Sequence, residues 1–176
     1  GCAVCRGGRV GCACGDVVVR TGYAVSADGQ MPEAGAKSGC GSPAYRMPKD
    51  VLDSQVDYIR QRGIEIKTGV DGGKDLAFSD RGRDYNAVFF AIGAQNSAKI
   101  SIPGVENPKV IGGRDYLRDY TQYDVHGKVV VVGGGNVAID AALTALRQGA
   151  SRVQMVWLET GDEIPAWPEG IEQAKG

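Results

Sequence analysis

Apolar positions in this chain alternate between two spacings. Short runs with almost no polar interruption occur at 128–132 (KVVVV), 152–158 (RVQMVWL) and 86–94 (NAVFFAIGA), with weaker ones at 2–5 (CAVC), 23–27 (YAVSA) and 64–69 (IEIKTG). Runs this short, rich in Val, Ile and Phe, read as strands, and those without alternation read as strands buried on both faces. Between them the spacing changes to three and four. In KDVLDSQVDYIRQRG (49–63), Val51, Leu52, Val56 and Ile59 form one stripe, Asp50 lies early, Arg60 late, and Gly63 marks a stop. A second helix is expected from about Asn136 to Gln148 with Gly149 as its cap, a short one over 114–122, and a weaker one over 12–21, where Gly15 and three valines are poor helix formers. Residues 28–49 and 95–113, rich in Gly, Pro, Ser and Lys, read as loop and connector.

Strands that alternate with helices, several of them apolar throughout, predict an α/β fold with parallel sheets. Strand, glycines, helix and strand recur at 2–28 and at 128–159, so two nucleotide-binding units are expected. The second copy is the clearer. Val129–Val132 are expected to form a buried strand, and Gly133, Gly135 and Ala138 then fit G-x-G-x-x-A. In a Rossmann-like unit the first glycine permits a tight turn and the second lets a diphosphate approach bare backbone. The third small residue lets helix pack on strand, and the helix N-terminus supplies free N–H groups. The whole stretch Gly133, Gly134, Gly135, Asn136, Val137 and Ala138 is therefore the expected coenzyme contact. Glu159, just past the following strand, can hydrogen-bond the adenosine ribose hydroxyls and repel a 2′-phosphate, which favours NADH over NADPH.

Composition narrows the partners. Against 20 Lys+Arg stand 21 Asp+Glu, and the net charge of −1 offers no field for nucleic acid or an anionic membrane. No run approaches the ~20 apolar residues of a membrane span, and no secretory leader is seen. The cysteines are Cys2, Cys5, Cys12, Cys14 and Cys40. An odd number without a leader argues for a reducing, cytoplasmic setting and against a disulfide framework. Cys2 and Cys5 fall on opposite faces of a strand, and Cys12 and Cys14 on different faces of a helix, so neither a metal nor an iron–sulfur cluster is expected. The lone histidine, His126, sits in a polar turn. No side chain presents itself as a catalytic acid, base or nucleophile.

Several segments, in order, carry a family resemblance: GSPAYRMPKDVLDSQVDYI, GIEIKTGV, YNAVFFAIGAQ, IPGVENPKV, VVVVGGGNVAIDAALTALRQGA and IPAWPEGIEQAK. Together they resemble the small (β) subunit of glutamate synthase and its relatives, among them the flavin-containing part of dihydropyrimidine dehydrogenase and ferredoxin–NADP oxidoreductase-like subunits. The likeness runs from about Gly22 to the end and is strongest over 43–150. It implies a FAD-binding domain with a NAD(P)H-binding domain inserted into it. It implies further that hydride would pass from NAD(P)H to FAD and that electrons would leave through iron–sulfur clusters of a partner or large subunit. Ala91–Ala94 match the strand end of the FAD domain, and Tyr45, Arg46 and Pro48 match the flavin-facing loop, with Arg46 as a cofactor contact.

Departures from the family pattern are concentrated at the FAD fingerprint. It falls on residues 6–11, where Gly8 and Gly11 are retained but Arg6 and Arg9 replace a glycine and a proline. Arg6 brings a Cβ to the tight turn. The expected ribose acid falls on Gly29, with Asp28 as a neighbouring substitute. The arginine pair suited to NADP(H) is replaced by Leu158 and Glu159. The chain begins with Gly and its second sheet has two strands, so a fragment of a longer enzyme is expected. The expected division is a partial FAD-binding-type domain at 1–98, a connector at 99–124 and a partial NAD(P)-binding domain at 125–176. The function implied is a flavin-dependent oxidoreductase. The alternative is a non-catalytic module that binds NAD(H) without flavin.

Overall fold

The computed structural model describes residues 1–5, 8–35, 41–43, 45–94, 96–97, 100–160 and 163–175. Arg6, Cys40 and the stretch around it lie outside the described residues. The chain divides into two compact units, Gly1–Gln95 and Asn96–Gly176.

The first unit is built on strands β1 (Cys2–Cys5), β2 (Val25–Asp28), β3 (Glu65–Lys67) and β4 (Ala87–Phe90), with helices α1 (Arg9–Arg20), α2 (Lys49–Gln61) and α3 (Phe78–Asp84). The sheet order is β3-β2-β1-β4, and every pairing is parallel. Cys2, Val25, Ala27 and Ile64 form the core, with Val18, Val19, Ile59 and Ile66 packed against it. Helix α1 starts three residues earlier than its sequence suggests, and Gly15 faces its packing partner. A Cβ on Gly15 would stand 3.2 Å from Ile64 Cδ1 and 3.4 Å from Val25 Cγ1, so the glycine lets the helix lie close on β2. Packing outweighs the poor intrinsic propensity of GDVVV. Helix α3 has no apolar stripe in its sequence, FSDRGRD, and its buried contact is a charged one through Arg81.

The second unit comprises α4 (Gly113–Arg118), a 3₁₀ turn at Tyr120–Gln122, β5 (Gly127–Val132), α5 (Asn136–Gln148), β6 (Ala150–Val156) and α6 (Pro168–Lys175). β5 and β6 pair in parallel, Val129 against Val153 through Val132 against Val156. Tyr116, Leu117, Ala141, Ala145 and Ala150 form this core. Gln148 ties it to the loop before β5. Its Oε1 accepts from the Tyr116 hydroxyl, and its Nε2 donates to the carbonyls of Tyr120 (2.7 Å) and Tyr123 (3.2 Å). Gly149 ends α5 in the left-handed region at φ 113°, the helix-stop geometry that favours glycine.

Two expectations need correction. The Val129–Val132 strand is not buried on both faces. Val130 and Val132 are 62% and 58% exposed, while Val129 and Val131 are half-buried. Helix α5 covers one face, and the alternation of a strand leaves every second side chain on the other. β4 likewise stops at Phe90, short of the run to Ala94, with Phe89 and Phe90 exposed. An unbroken apolar run specifies a strand without saying whether both faces are covered. The α/β class and the parallel, Rossmann-like sheets are as expected.

Candidate functional site

The turn from β5 into α5 assigns each glycine a different physical task. Gly133 takes φ 130°, and its N–H donates to the Val156 carbonyl at 2.7 Å, closing the strand end onto β6. A side chain there is strained, and a Cβ would already lie 3.6 Å from the Cβ of Ala138, so the small residue at 138 serves close packing. Gly134 is buried. A Cβ on it would meet Trp157 Cβ at 3.2 Å, Trp157 Cγ at 3.3 Å and Glu159 Oε2 at 3.4 Å. Gly135, by contrast, has ordinary extended backbone (φ −87°, ψ 171°) and open space where a Cβ would stand. Nothing in the fold itself requires glycine at 135.

Open space at Gly135 faces the start of α5. The Gly135 carbonyl accepts from Ala138 N (2.9 Å) and Ile139 N (3.1 Å), beginning the helix. The N–H groups of Asn136 and Val137 precede these and have no hydrogen-bond partner among the described residues. Unpaired donors at a helix start, next to a cradle that a side chain would fill, suit an oxyanion such as a diphosphate. The Glu159 carboxylate, half-buried, lies beside the same turn.

Sequence reasoning missed what holds this turn from outside. Ala166 and Trp167, which follow β6 in the sequence, bond to it. Ala166 N–H donates to the Gly134 carbonyl at 3.0 Å, and Trp167 N–H donates to Asn136 Oδ1 at 2.9 Å. The Trp167 carbonyl in turn accepts from Gly170 N and Ile171 N, opening α6. The Asn136 side chain thus faces Trp167. The signal available in sequence was the pair of tryptophans, Trp157 and Trp167, on either side of Glu159.

The flavin-side candidates lie in the first unit. Gly8 is the residue before α1, with φ −85° and ψ 177°, and Gly11 is buried in the first turn of that helix. Arg46 is exposed in a turn, its guanidinium 5.7 Å from the Tyr45 ring centroid. Asp28 ends β2 but is only 6% exposed, and its Oδ2 accepts from Arg81 Nη2. Its Oδ1 is buried with no partner among the described residues. Arg81 also donates to the Tyr85 hydroxyl at 3.0 Å. Burial raises the Asp28 pKa, with Arg81 and then Lys67 opposing. This carboxylate faces α3, an orientation that does not suit a ribose held at the open strand end.

The described cysteines are dispersed. Cys2 is buried in β1, and burial raises its thiol pKa, as it does for Cys12 in α1. No group of three His, Cys, Asp or Glu side chains among the described residues could hold a metal. His126 is exposed, with Nε2 2.7 Å from Asp124 Oδ1. No helix among the described residues is long and apolar enough to cross a membrane.

The family model described as pyridine nucleotide-disulphide oxidoreductase matches residues 41–174. The NADP(+)-dependent formate dehydrogenase subunit beta of Moorella thermoacetica is 34% identical over 98% of this chain and 25% of its own length. The glutamate synthase [NADPH] small chain of Escherichia coli is 29% identical over 98% of this chain and 40% of its own length. The chain therefore spans between a quarter and two fifths of these relatives. Among solved structures, Mycobacterium tuberculosis FprA in complex with NADPH superposes with a TM-score of 0.81 at 19% identity, over 99% of this chain and 46% of that one. That likeness is one of fold.

Proposed function

The chain belongs to the pyridine nucleotide-disulphide oxidoreductase family, and from that premise we propose that its second unit binds the diphosphate of a nicotinamide dinucleotide at Gly133–Ala138. The observation that carries the reading is Gly135: an unstrained glycine with an empty Cβ position, next to two unpaired helix N–H groups. Asn136 N–H and Val137 N–H would hold diphosphate oxygens, and Gly133 and Gly134 would shape the turn. The Glu159 carboxylate would take the adenosine ribose hydroxyls. It repels a 2′-phosphate, so the proposed coenzyme is NADH, although the relatives above are named for NADP(+) and NADPH.

The proposed activity of the whole protein is transfer of a hydride from this coenzyme to a flavin, with electrons passed on to a partner subunit of the glutamate synthase small-chain type. The redox chemistry is supplied by the nicotinamide and the flavin when bound. The residues of this chain contribute binding, orientation and charge. In the first unit Gly8, Gly11 and Arg46 are the proposed flavin contacts, and the first unit is proposed to be of the FAD-binding type. Asp28 is the weakest member of that set, because Arg81 already engages it. That ion pair also favours the second reading, a module that binds NAD(H) without flavin.

One preparation tests both readings. A purified protein that shows the flavin's visible absorption band and bleaches on adding NADH supports electron transfer. A colourless protein that binds NADH supports the coenzyme module alone. A protein that binds neither NADH nor NADPH overturns the reading of the glycine turn.

A further inference from the structure

The backbone of Trp167 is anchored on both sides. Its N–H donates to Asn136 Oδ1, at the first residue of α5. Its carbonyl accepts from Gly170 N (2.9 Å) and Ile171 N (3.1 Å) as α6 begins. Pro168 follows it and restricts its backbone further. Ala166, buried just before it, is pinned to the Gly134 carbonyl. Main-chain bonds therefore hold Trp167 on both sides, yet the residue is 68% exposed. An exposed aromatic face on a fixed backbone can accept a stacked ring without reorganising.

Its place relative to the proposed coenzyme narrows the use. The diphosphate is proposed at Gly135 and the adenosine ribose at Glu159. The adenine is bonded to that ribose and must lie beyond it, outside the C-terminal end of β6. Gly133, whose N–H donates to the Val156 carbonyl, sets the glycine turn beside that end, and Ala166 and Trp167 are bonded to the same turn at Gly134 and Asn136. We propose that Trp167 is the platform on which the adenine ring of the dinucleotide stacks, and that Asn136 is the residue that positions it. This rests on the coenzyme reading above and adds to it the determinant for the base.

Stacking needs only a flat face and no reorganisation of a main chain already fixed. Removing an aromatic partner from a stacked base costs about tenfold in affinity. The test uses the full chain and ADP-ribose, which carries the adenine, both phosphates and no nicotinamide. Trp167→Ala is expected to weaken ADP-ribose binding about tenfold, Trp167→Phe to restore most of it, and Trp167→Leu, apolar but not aromatic, to restore little. Binding should quench wild-type tryptophan fluorescence, and the quench should shrink in Trp167→Phe, where Trp157 alone remains. Asn136→Ala should weaken ADP-ribose binding in the same direction and add little further loss when combined with Trp167→Ala. If wild type binds ADP-ribose and Trp167→Ala binds it equally, or Leu restores binding as well as Phe, the platform is refuted while the coenzyme site stands. If wild type does not bind ADP-ribose, both fall together.

Discussion

Replacing Gly135 by alanine separates what the fold needs from what a ligand needs. The residue has φ −87° and ψ 171°, a region open to any L-amino acid, and a Cβ there meets nothing within 4 Å. Alanine before a helix loses up to about 1 kcal/mol relative to glycine as a cap. The more restricted unfolded chain returns about 0.4–1 kcal/mol. The two nearly cancel, so the melting temperature should hardly move. Binding should not be spared. The methyl group enters the cradle and keeps a diphosphate from the unpaired N–H groups of Asn136 and Val137. A hydrogen bond to a charged group is worth about 1.5–3 kcal/mol, so loss of one should weaken NADH about ten- to a hundredfold. Two neighbours serve as controls. Gly133→Ala forces a side chain into φ 130° and should cost about 1–3 kcal/mol of stability. Gly134→Ala pushes on Trp157 and Glu159 and should cost stability as well. The assay is a thermal melt paired with an NADH titration for each variant. Wild-type affinity in a Gly135→Ala protein of unchanged melting temperature would remove the diphosphate from this turn.

Three further outcomes follow from charges and burial. Glu159→Arg should shift preference from NADH toward NADPH by at least about tenfold, because it exchanges repulsion of the 2′-phosphate for a charge-assisted bond; a wild type already tighter for NADPH contradicts the role given to Glu159. Arg81→Ala leaves the Asp28 carboxylate buried and unpaired, at a cost of up to about 3–5 kcal/mol. Burial raises the folded pKa of Asp28, and losing Arg81 raises it more. The folded state then holds the proton longer than the unfolded state, so this variant should lose stability as pH rises above the model-peptide value of 3.8. Asp28→Asn added to Arg81→Met should recover most of the loss, and equal urea midpoints at pH 4 and pH 7 for Arg81→Ala would contradict the pairing. Tyr116, buried and next to Tyr120, has its pKa raised from 10.0 to about 12. Between those values the unfolded chain has given up a proton that the folded one keeps, so stability should fall as pH rises from 10.0 toward 12. Tyr116→Phe should flatten that part of the profile in urea unfolding; an unchanged slope would contradict it.

What the sequence alone determined is local. The 3.6 spacing marks α2, in which Leu52 and Val56 are buried and Ile59 packs on the core, whereas Val51, expected on the same stripe, is 42% exposed. The helix Asn136–Gln148 ends at Gly149, where spacing and cap place it. The glycine pattern at 133–138 is legible as a pattern, but only Gly133, at φ 130°, answers a local backbone demand; Gly134 makes room for Trp157 and Glu159, and a Cβ on Gly135 would meet nothing within 4 Å. Tertiary structure decided the rest. Gly15, a helix breaker in isolation, became the point of closest approach between α1 and β2. Asp28, a surface acid by its type, found Arg81 on a helix 53 residues away that no apolar pattern announced. Trp167 came to the glycine turn through the bond of Ala166 N–H to the Gly134 carbonyl and that of its own N–H to the Asn136 side chain, neither of which a periodic pattern announces. Propensity and periodicity act over one or two turns of chain, whereas burial and hydrogen-bond pairing depend on what the fold brings alongside.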